Sequence, residues 1–304
     1  MTNGHEPYDV IALGETMLSL VASDGTLATA NEFVATHGGA ESNTLVALAR
    51  SGARTAWVSR LGDDPAGERI RSALESEGVD LRWVRIDADR PTGLMMRDTR
   101  GGVRYWRSGS AASTLEPSDL DGAPIAEARA VITTGITAML GPGPGAAALE
   151  LLERARGLRA VDLNLRPRLW GSDRARDLVL PLVERCDVLF ASASELATLI
   201  GGDPEGSARR CASLGPREVI VTRGATGAAA LDPDGSWHEM RAEPVQEIDP
   251  VGAGDAFDAG YLAARLRGAP CVEALADAVA AGARTARALG DVGPPLGFEQ
   301  VADA

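Results

Sequence analysis

The 304-residue chain contains no lysine; all 30 of its basic residues are arginine. A Walker-type phosphate loop needs a lysine after its glycine spacer, so that mode of nucleotide binding is excluded. Protein-kinase chemistry, which uses a strand lysine, and Schiff-base chemistry fall with it. Cysteine is almost as scarce. Cys186, Cys211 and Cys271 are far apart and lack the spacing of a metal site or a disulfide framework. The three histidines, His5, His37 and His238, are equally scattered, so neither a zinc site nor a histidine-based triad can be assembled. No apolar run reaches membrane-spanning length, and no arginine precedes Arg50 as a signal peptide would want. A cytoplasmic protein is expected. Net charge is −13, which disfavours nucleic acid and anionic membrane as partners and leaves an anionic substrate to be met by local arginines.

What is present is a 45 % hydrophobic fraction, enough for one large α/β domain over 1–304 with a smaller appendage. Apolar strand candidates at Val10–Gly14, Thr55–Ser59, Ala130–Thr134, Ala160–Asp162, Val188–Ala191 and Val219–Thr222 alternate with helical patterns. The helical patterns lie at Ser42–Ser51, Pro65–Glu77, Ala146–Arg156, Arg174–Val183 and Pro204–Leu214. That alternation predicts a mostly parallel sheet covered by helices. Gly141-Pro-Gly-Pro-Gly145 reads as a rigid loop before a helix. Arg90–Arg107 departs from the alternation: rich in Thr, Met, Val, Tyr and Trp around a Gly101-Gly102 turn, it predicts a β-hairpin. With Thr16–Ala22 it makes a small separate sheet, a lid built from about 15–37 and 90–110.

The most informative segment is Asp249-Pro-Val-Gly-Ala-Gly-Asp255-Ala-Phe-Asp-Ala-Gly260. Gly252, Ala253 and Gly254 leave room for an anion to reach backbone N–H groups, and a helix starting near Gly254 aims its positive dipole end there. Phe257 stands where a dinucleotide fingerprint needs a small residue, so a Rossmann oxidoreductase does not fit. A carboxylate, Asp255, beside a bound polyanion points to a general base taking a proton from a hydroxyl that attacks phosphate. The plainer alternative is a helix-capping aspartate.

A second glycine pair, Gly38-Gly39, precedes a helix that carries Asn43, within reach of a sugar hydroxyl. Together the two segments resemble the N- and C-terminal signatures of the PfkB, or ribokinase-like, family of carbohydrate kinases, and the resemblance runs over nearly the whole chain. It implies an α/β fold, a ribokinase-like three-layer sandwich with a mostly parallel central sheet and a small β-sheet lid. ATP and Mg²⁺ would supply the phosphoryl group to a sugar-like alcohol. By the same resemblance Thr222-Arg-Gly224-Ala-Thr-Gly227 is a nucleotide-binding turn, and Val279, Gly282 and Ala283 form a wall beside adenine. Glu195 places Mg²⁺ through water, with Ser192 where the family usually has asparagine. Asp249 and the backbone of Val251 would hold a monovalent cation, K⁺. A homodimer through the lid is compatible with this reading.

Gly14-Glu-Thr16, Arg104–Ala112 and Asp162-Leu-Asn-Leu-Arg166-Pro-Arg-Leu-Trp170 resemble members that phosphorylate 2-keto-3-deoxygluconate. Such an acceptor carries a carboxylate, for which Arg107 on the lid and Arg166 after a strand are candidates, with Tyr105 toward a hydroxyl or keto oxygen. The 252–255 amides of Gly252, Ala253, Gly254 and Asp255, with Arg166 and Mg²⁺, would then stabilise charge on the transferred phosphate while Asp255 takes the hydroxyl proton. Fructose, another hexose or a nucleoside are alternative acceptors, and a noncatalytic sugar-responsive protein is the alternative from another class.

Overall fold

Short apolar runs without polar alternation suit strands covered on both faces. The computed structural model, which describes residues 6–98, 100–165, 172–246, 250–287 and 296, lays them side by side. β1 (Val10–Leu13) lies between β4 (Thr55–Gly62) and β8 (Ala130–Thr134), with β5 (Asp80–Asp87) outside β4. Beyond β8 follow β9 (Leu158–Asp162), β10 (Val188–Ser192), β11 (Glu218–Thr222), β12 (Ala228–Leu231) and β13 (Trp237–Met240). Pairing is parallel from β5 through β11 and antiparallel in the last two steps.

Alternate strand residues feed two separate cores, which makes the three layers. Val10 and Ala12 point to one face with Leu45 of α1 (Ala40–Ala49), Ile70 of α2 (Pro65–Ser76), Leu262 of α8 (Ala253–Leu266) and Leu275 of α9 (Cys271–Thr285). Ile11 and Leu13 point to the other. There they meet Met139 of α3 (Gly135–Met139), Leu151 of α4 (Pro142–Arg154), Val179 of α5 (Ser172–Val183), Leu196 of α6 (Ala193–Leu199) and Ala208 of α7 (Pro204–Ala212). None of the helices among the described residues is long and apolar enough to cross a membrane.

Two helix starts share one device: Asp64 accepts from Gly67 N (2.8 Å) and Asp203 from Gly206 N (2.9 Å), each followed by proline at the first helical position. The expectation of a loop over 141–145 is corrected here, because α4 begins at Pro142. Pro142 and Pro144 fall in the first turn, where a missing N–H costs no helical hydrogen bond.

The appendage is a four-stranded sheet of β3 (Phe33–Gly38), β2 (Met17–Ala22), β6 (Leu94–Arg97) and β7 (Val103–Trp106), in that spatial order. β6 and β7 form the expected hairpin, its turn at Gly101 (φ +90°) tied by Asp98, which accepts from Gly102 N and Arg100 N, both at 2.9 Å. By strand register, Met17, Met95, Arg97 and Tyr105 occupy one face of this sheet and Leu18, Leu20, Leu94, Met96 and Trp106 the other.

Candidate active site

Four parallel strands end at Thr134, Asp162, Ser192 and Thr222, and their carboxyl edge meets the N-terminus of α8. That helix starts from Gly252, whose φ of +78° a side chain would strain. Its first intrahelical bond is closed by Ala256 N to Gly252 O (2.9 Å), which leaves the first-turn amides ahead of the helical ladder. A Cβ placed on Gly254 would meet no atom within 4 Å, so the small residue there leaves a hollow.

Two cavities adjoin at this point and share Thr222, Pro250 and Gly254. The first, about 440 Å³, lies between sheet edge and lid. It gathers Gly38, Gly39 and Asn43 from the start of α1, Tyr105 and Arg107 from the lid, Ser192 and Glu195 from α6, and Val251, Gly252 and Asp255 from the α8 start. The second, about 480 Å³, is lined by Gly224, Gly227, Ala253, Val279, Gly282 and Ala283, with Phe257 and Val245. Every candidate read from the sequence therefore borders one of two joined cavities, except Arg166 and Asp249, which lie outside the described residues.

Asp255 is positioned across the chain. Asn43 Nδ2 donates to Asp255 Oδ2 at 2.7 Å, and Thr44 Oγ1 donates to the Asp255 carbonyl at 3.2 Å. The α1 start that supplies both is fixed by buried Glu41, which accepts from Thr134 Oγ1 (2.7 Å) and Thr137 Oγ1 (2.6 Å). Burial pushes the Glu41 carboxyl up, against the lowering effect of those hydroxyls. Gly14 and Gly39 are glycine for space: a Cβ at Gly14 would lie 2.1 Å from the Glu41 carboxyl carbon, and one at Gly39 would lie 2.5 Å from Glu15 O.

Ser192 caps α6 by accepting from Glu195 N (3.2 Å), while Glu195 returns Oε2 to Ser192 N (2.7 Å). The second Glu195 oxygen accepts from Leu165 N at 2.6 Å, so each oxygen of this carboxylate is held on the cavity wall by a backbone N–H. Among the described residues, no three acidic, histidine or cysteine groups converge as direct ligands of a metal ion.

Arg107 is nearly buried, and its guanidinium grips the buried carboxylate of Glu15 (Nε at 2.7 Å, the terminal nitrogen at 2.5 Å), which Ser110 also approaches at 2.5 Å. Sequence reasoning assigned no role to several further polar lining residues. Glu15 is one. Arg97 is 4 % exposed and shares the inward face of the lid strand with Met95, a signal that period-two reading of the hairpin could have given. Asn164 sits at φ +38°, the described non-glycine residue with positive φ, its N–H donating to Asp162 Oδ1 at 3.1 Å. Asp258, three residues beyond Asp255 on the same helical face, is 4 % exposed. Burial, then the charges of Asp162, Asp255 and Glu195, push its carboxyl well above the usual range.

The family model for pfkB carbohydrate kinases matches residues 8–295. The chain belongs to that family. It is therefore a carbohydrate kinase, a phosphotransferase with an alcohol acceptor, for which ATP and Mg²⁺ are the expected donor and metal. The kinase is 34 % identical to the 2-dehydro-3-deoxygluconokinase of Thermoproteus tenax, with 95 % of this chain and 93 % of that protein covered. It is 35 % identical to a fructokinase of Klebsiella pneumoniae over 74 % of this chain and 76 % of that one. Among solved structures, aminoimidazole riboside kinase from Salmonella enterica, complexed with aminoimidazole riboside and an ATP analogue, is similar at 28 % identity and a TM-score of 0.84, covering 95 % of this chain and 97 % of that one. The fold is ribokinase-like, as the sheet, its covering helices and the small lid sheet had suggested.

Proposed function

We propose that the kinase transfers the ATP γ-phosphate to a hydroxyl of 2-keto-3-deoxygluconate, with Asp255 as general base. The observation that carries this reading is the meeting of two cavities at the α8 N-terminus, one walled by small and apolar residues, the other polar and covered by a lid bearing Arg97 and Arg107. The apolar cavity suits adenine against Val279, Gly282 and Ala283, with the turn at Thr222, Gly224 and Gly227 along the phosphates. The polar one holds the acceptor. A carboxylate-bearing substrate entering a wall that already presents Asp162, Asp255, Asp258 and Glu195 needs cationic partners, and charge-assisted hydrogen bonds from the two arginines lining the lid side would meet that need. The Thermoproteus relative, whose name is that activity, supports the assignment.

Asp255 accepts the hydroxyl proton as the oxygen attacks, its carboxylate turned by Asn43 toward the acceptor side. The 252–254 backbone at the helix start stabilises charge on the transferred group, with Arg166 as a further cation. Mg²⁺, when bound, neutralises phosphate charge, and Glu195 would hold it through water. Val251 and Asp249 would hold K⁺. The lid excludes water that would hydrolyse ATP. We place this single kinase domain in the cytoplasm, acting on small molecules and apart from nucleic acid and membrane. The half-exposed apolar lid face of Leu18, Leu20 and Trp106 would serve a homodimer.

One observation favours a neutral ketohexose instead: Glu15 offsets the charge of Arg107. ADP release measured over keto-deoxy acids, ketohexoses, aldoses and nucleosides decides between them. The highest kcat/KM is expected for 2-keto-3-deoxygluconate, and a preference for fructose over every sugar acid would overturn the assignment.

A further inference from the structure

The amino edge of the main sheet, opposite the two cavities, carries a third hollow of about 480 Å³. It opens where three parallel strands begin, β9 at Leu158, β10 at Val188 and β11 at Glu218. Four guanidinium groups surround it, from Arg156, Arg159, Arg217 and Arg265, against two carboxylates, Asp187 and Glu218. Both carboxylates are already engaged. Arg159 clamps Asp187 through two nitrogens at 2.8 and 2.7 Å, and Arg265 holds Glu218 at 2.7 Å while Tyr261 Oη donates to it at 2.6 Å. Burial raises the Asp187 carboxyl, but Arg159, helped by the field of Arg217, holds it below the usual range, so it stays ionised and committed.

Arg156 and Arg217 are exposed and form no ion pair among the described residues. The hollow thus holds two positive charges in excess, in a chain whose net charge is −13. Like charges brought together in a concave surface repel, and an anion between them removes that cost. Its volume lies in the range of roughly 300–1,000 Å³ that takes small organic ligands, more than inorganic phosphate fills.

We propose that this hollow is a second, noncatalytic site for a small phosphorylated metabolite. Arg156 and Arg217 clamp the phosphate with their planar forks, and the Asp187–Arg159 and Glu218–Arg265 pairs hold the walls rigid. The strands that begin there end at Asp162, Ser192 and Thr222, so a ligand at one edge bears on the elements that carry the other.

The test uses calorimetric titration with glucose 6-phosphate and with inorganic phosphate at low ionic strength, the active site being filled with Mg²⁺ and a nonhydrolysable ATP analogue. Saturable binding of glucose 6-phosphate, tighter than that of phosphate, is expected. It should weaken at least tenfold in Arg156→Gln/Arg217→Gln and less in Arg156→Lys/Arg217→Lys, with KM for ATP and unfolding temperature unchanged. That KM readout separates this site from the catalytic assignment. No saturable binding in the native enzyme, equal affinity for both probes, or undiminished binding in the glutamine variant would each overturn it.

Discussion

At Asp255 the carboxylate is shared between Asn43, 212 residues away in sequence, and the open end of α8. Asp255→Asn keeps the shape and removes the proton acceptor, so kcat should fall on the order of 10²- to 10⁴-fold. Folding should survive, because Asn43 Oδ1 is buried without a partner and can turn to accept from the new amide. Steady-state kinetics beside a thermal melt checks both halves, and native turnover in the variant would remove Asp255 from the mechanism. Arg107 needs a paired substitution, because its guanidinium is held by Glu15. Arg107→Met alone would strand the Glu15 carboxylate, a loss of about 3–5 kcal/mol typical of half-broken buried pairs. Glu15→Gln/Arg107→Met keeps an acceptor for Ser110 and should restore most of that stability. If Arg107 binds the acceptor carboxylate, the double variant should still lose about tenfold or more in preference for sugar acid over neutral ketohexose, as expected for a charge-assisted contact worth roughly 1.5–3 kcal/mol. An unmoved preference assigns Arg107 to packing. Asp255 and Asn43 were legible because each sits in a glycine-marked segment with an evident chemical use. Arg97 was readable only through the period of its strand, and Asn164 and Asp258 were not readable, since a lone asparagine or second aspartate has no local signal until the fold sets it on a cavity wall.

The same division holds for elements. Parallel strands with both faces buried announce themselves as apolar runs, which is why β8 was read to the residue. β5, whose residues include Asp80, Arg82, Arg85 and Asp87, and the four-residue β13 gave no such signal, while the apolar β12 is only four residues long and alanine-rich, too short to tell from a helical segment. The 222–227 turn contains two glycines that local propensity cannot tell apart. Gly227 has φ +106°, and a Cβ there would lie 2.0 Å from Met240 O, inside the β12–β13 pairing. Gly224 has φ +58° but an added Cβ meets nothing, pointing into space beside the second cavity. Gly227→Ala should therefore lower the unfolding temperature sharply. Gly224→Ala should cost only about 1 kcal/mol of backbone strain and raise KM for ATP more than KM for the acceptor. Unchanged KM for ATP in folded Gly224→Ala would make this turn purely structural.

Across the whole molecule, the acidic surplus visible in composition is concentrated by folding into a few places where carboxylates crowd. Glu41 and Asp258 are raised, Glu41 by burial and Asp258 by burial together with Asp162, Asp255 and Glu195. Each binds a proton more readily in the folded chain than in the unfolded one. Their contribution to stability is complete below the ordinary carboxylate range, near about pH 4, and is lost as pH rises through their folded values. Asp64 and Asp187 act in the opposite sense: both are lowered by hydrogen bonds that overcome burial, so their contribution is present above that range and lost as pH falls through their folded values. Removing Asp258 as a titrating group should then stabilise the fold most where the native carboxyl is forced toward ionisation. Asp258→Asn, melted without Mg²⁺, should unfold at a higher temperature than the native enzyme at pH 8, and the gap should shrink at pH 5. Mg²⁺ should narrow the gap at pH 8, because a cation in the cavity relieves the same repulsion. A gap that stays constant between pH 5 and pH 8 would show that Asp258 titrates alike in both states and that the carboxylate crowd exerts no strain on the fold.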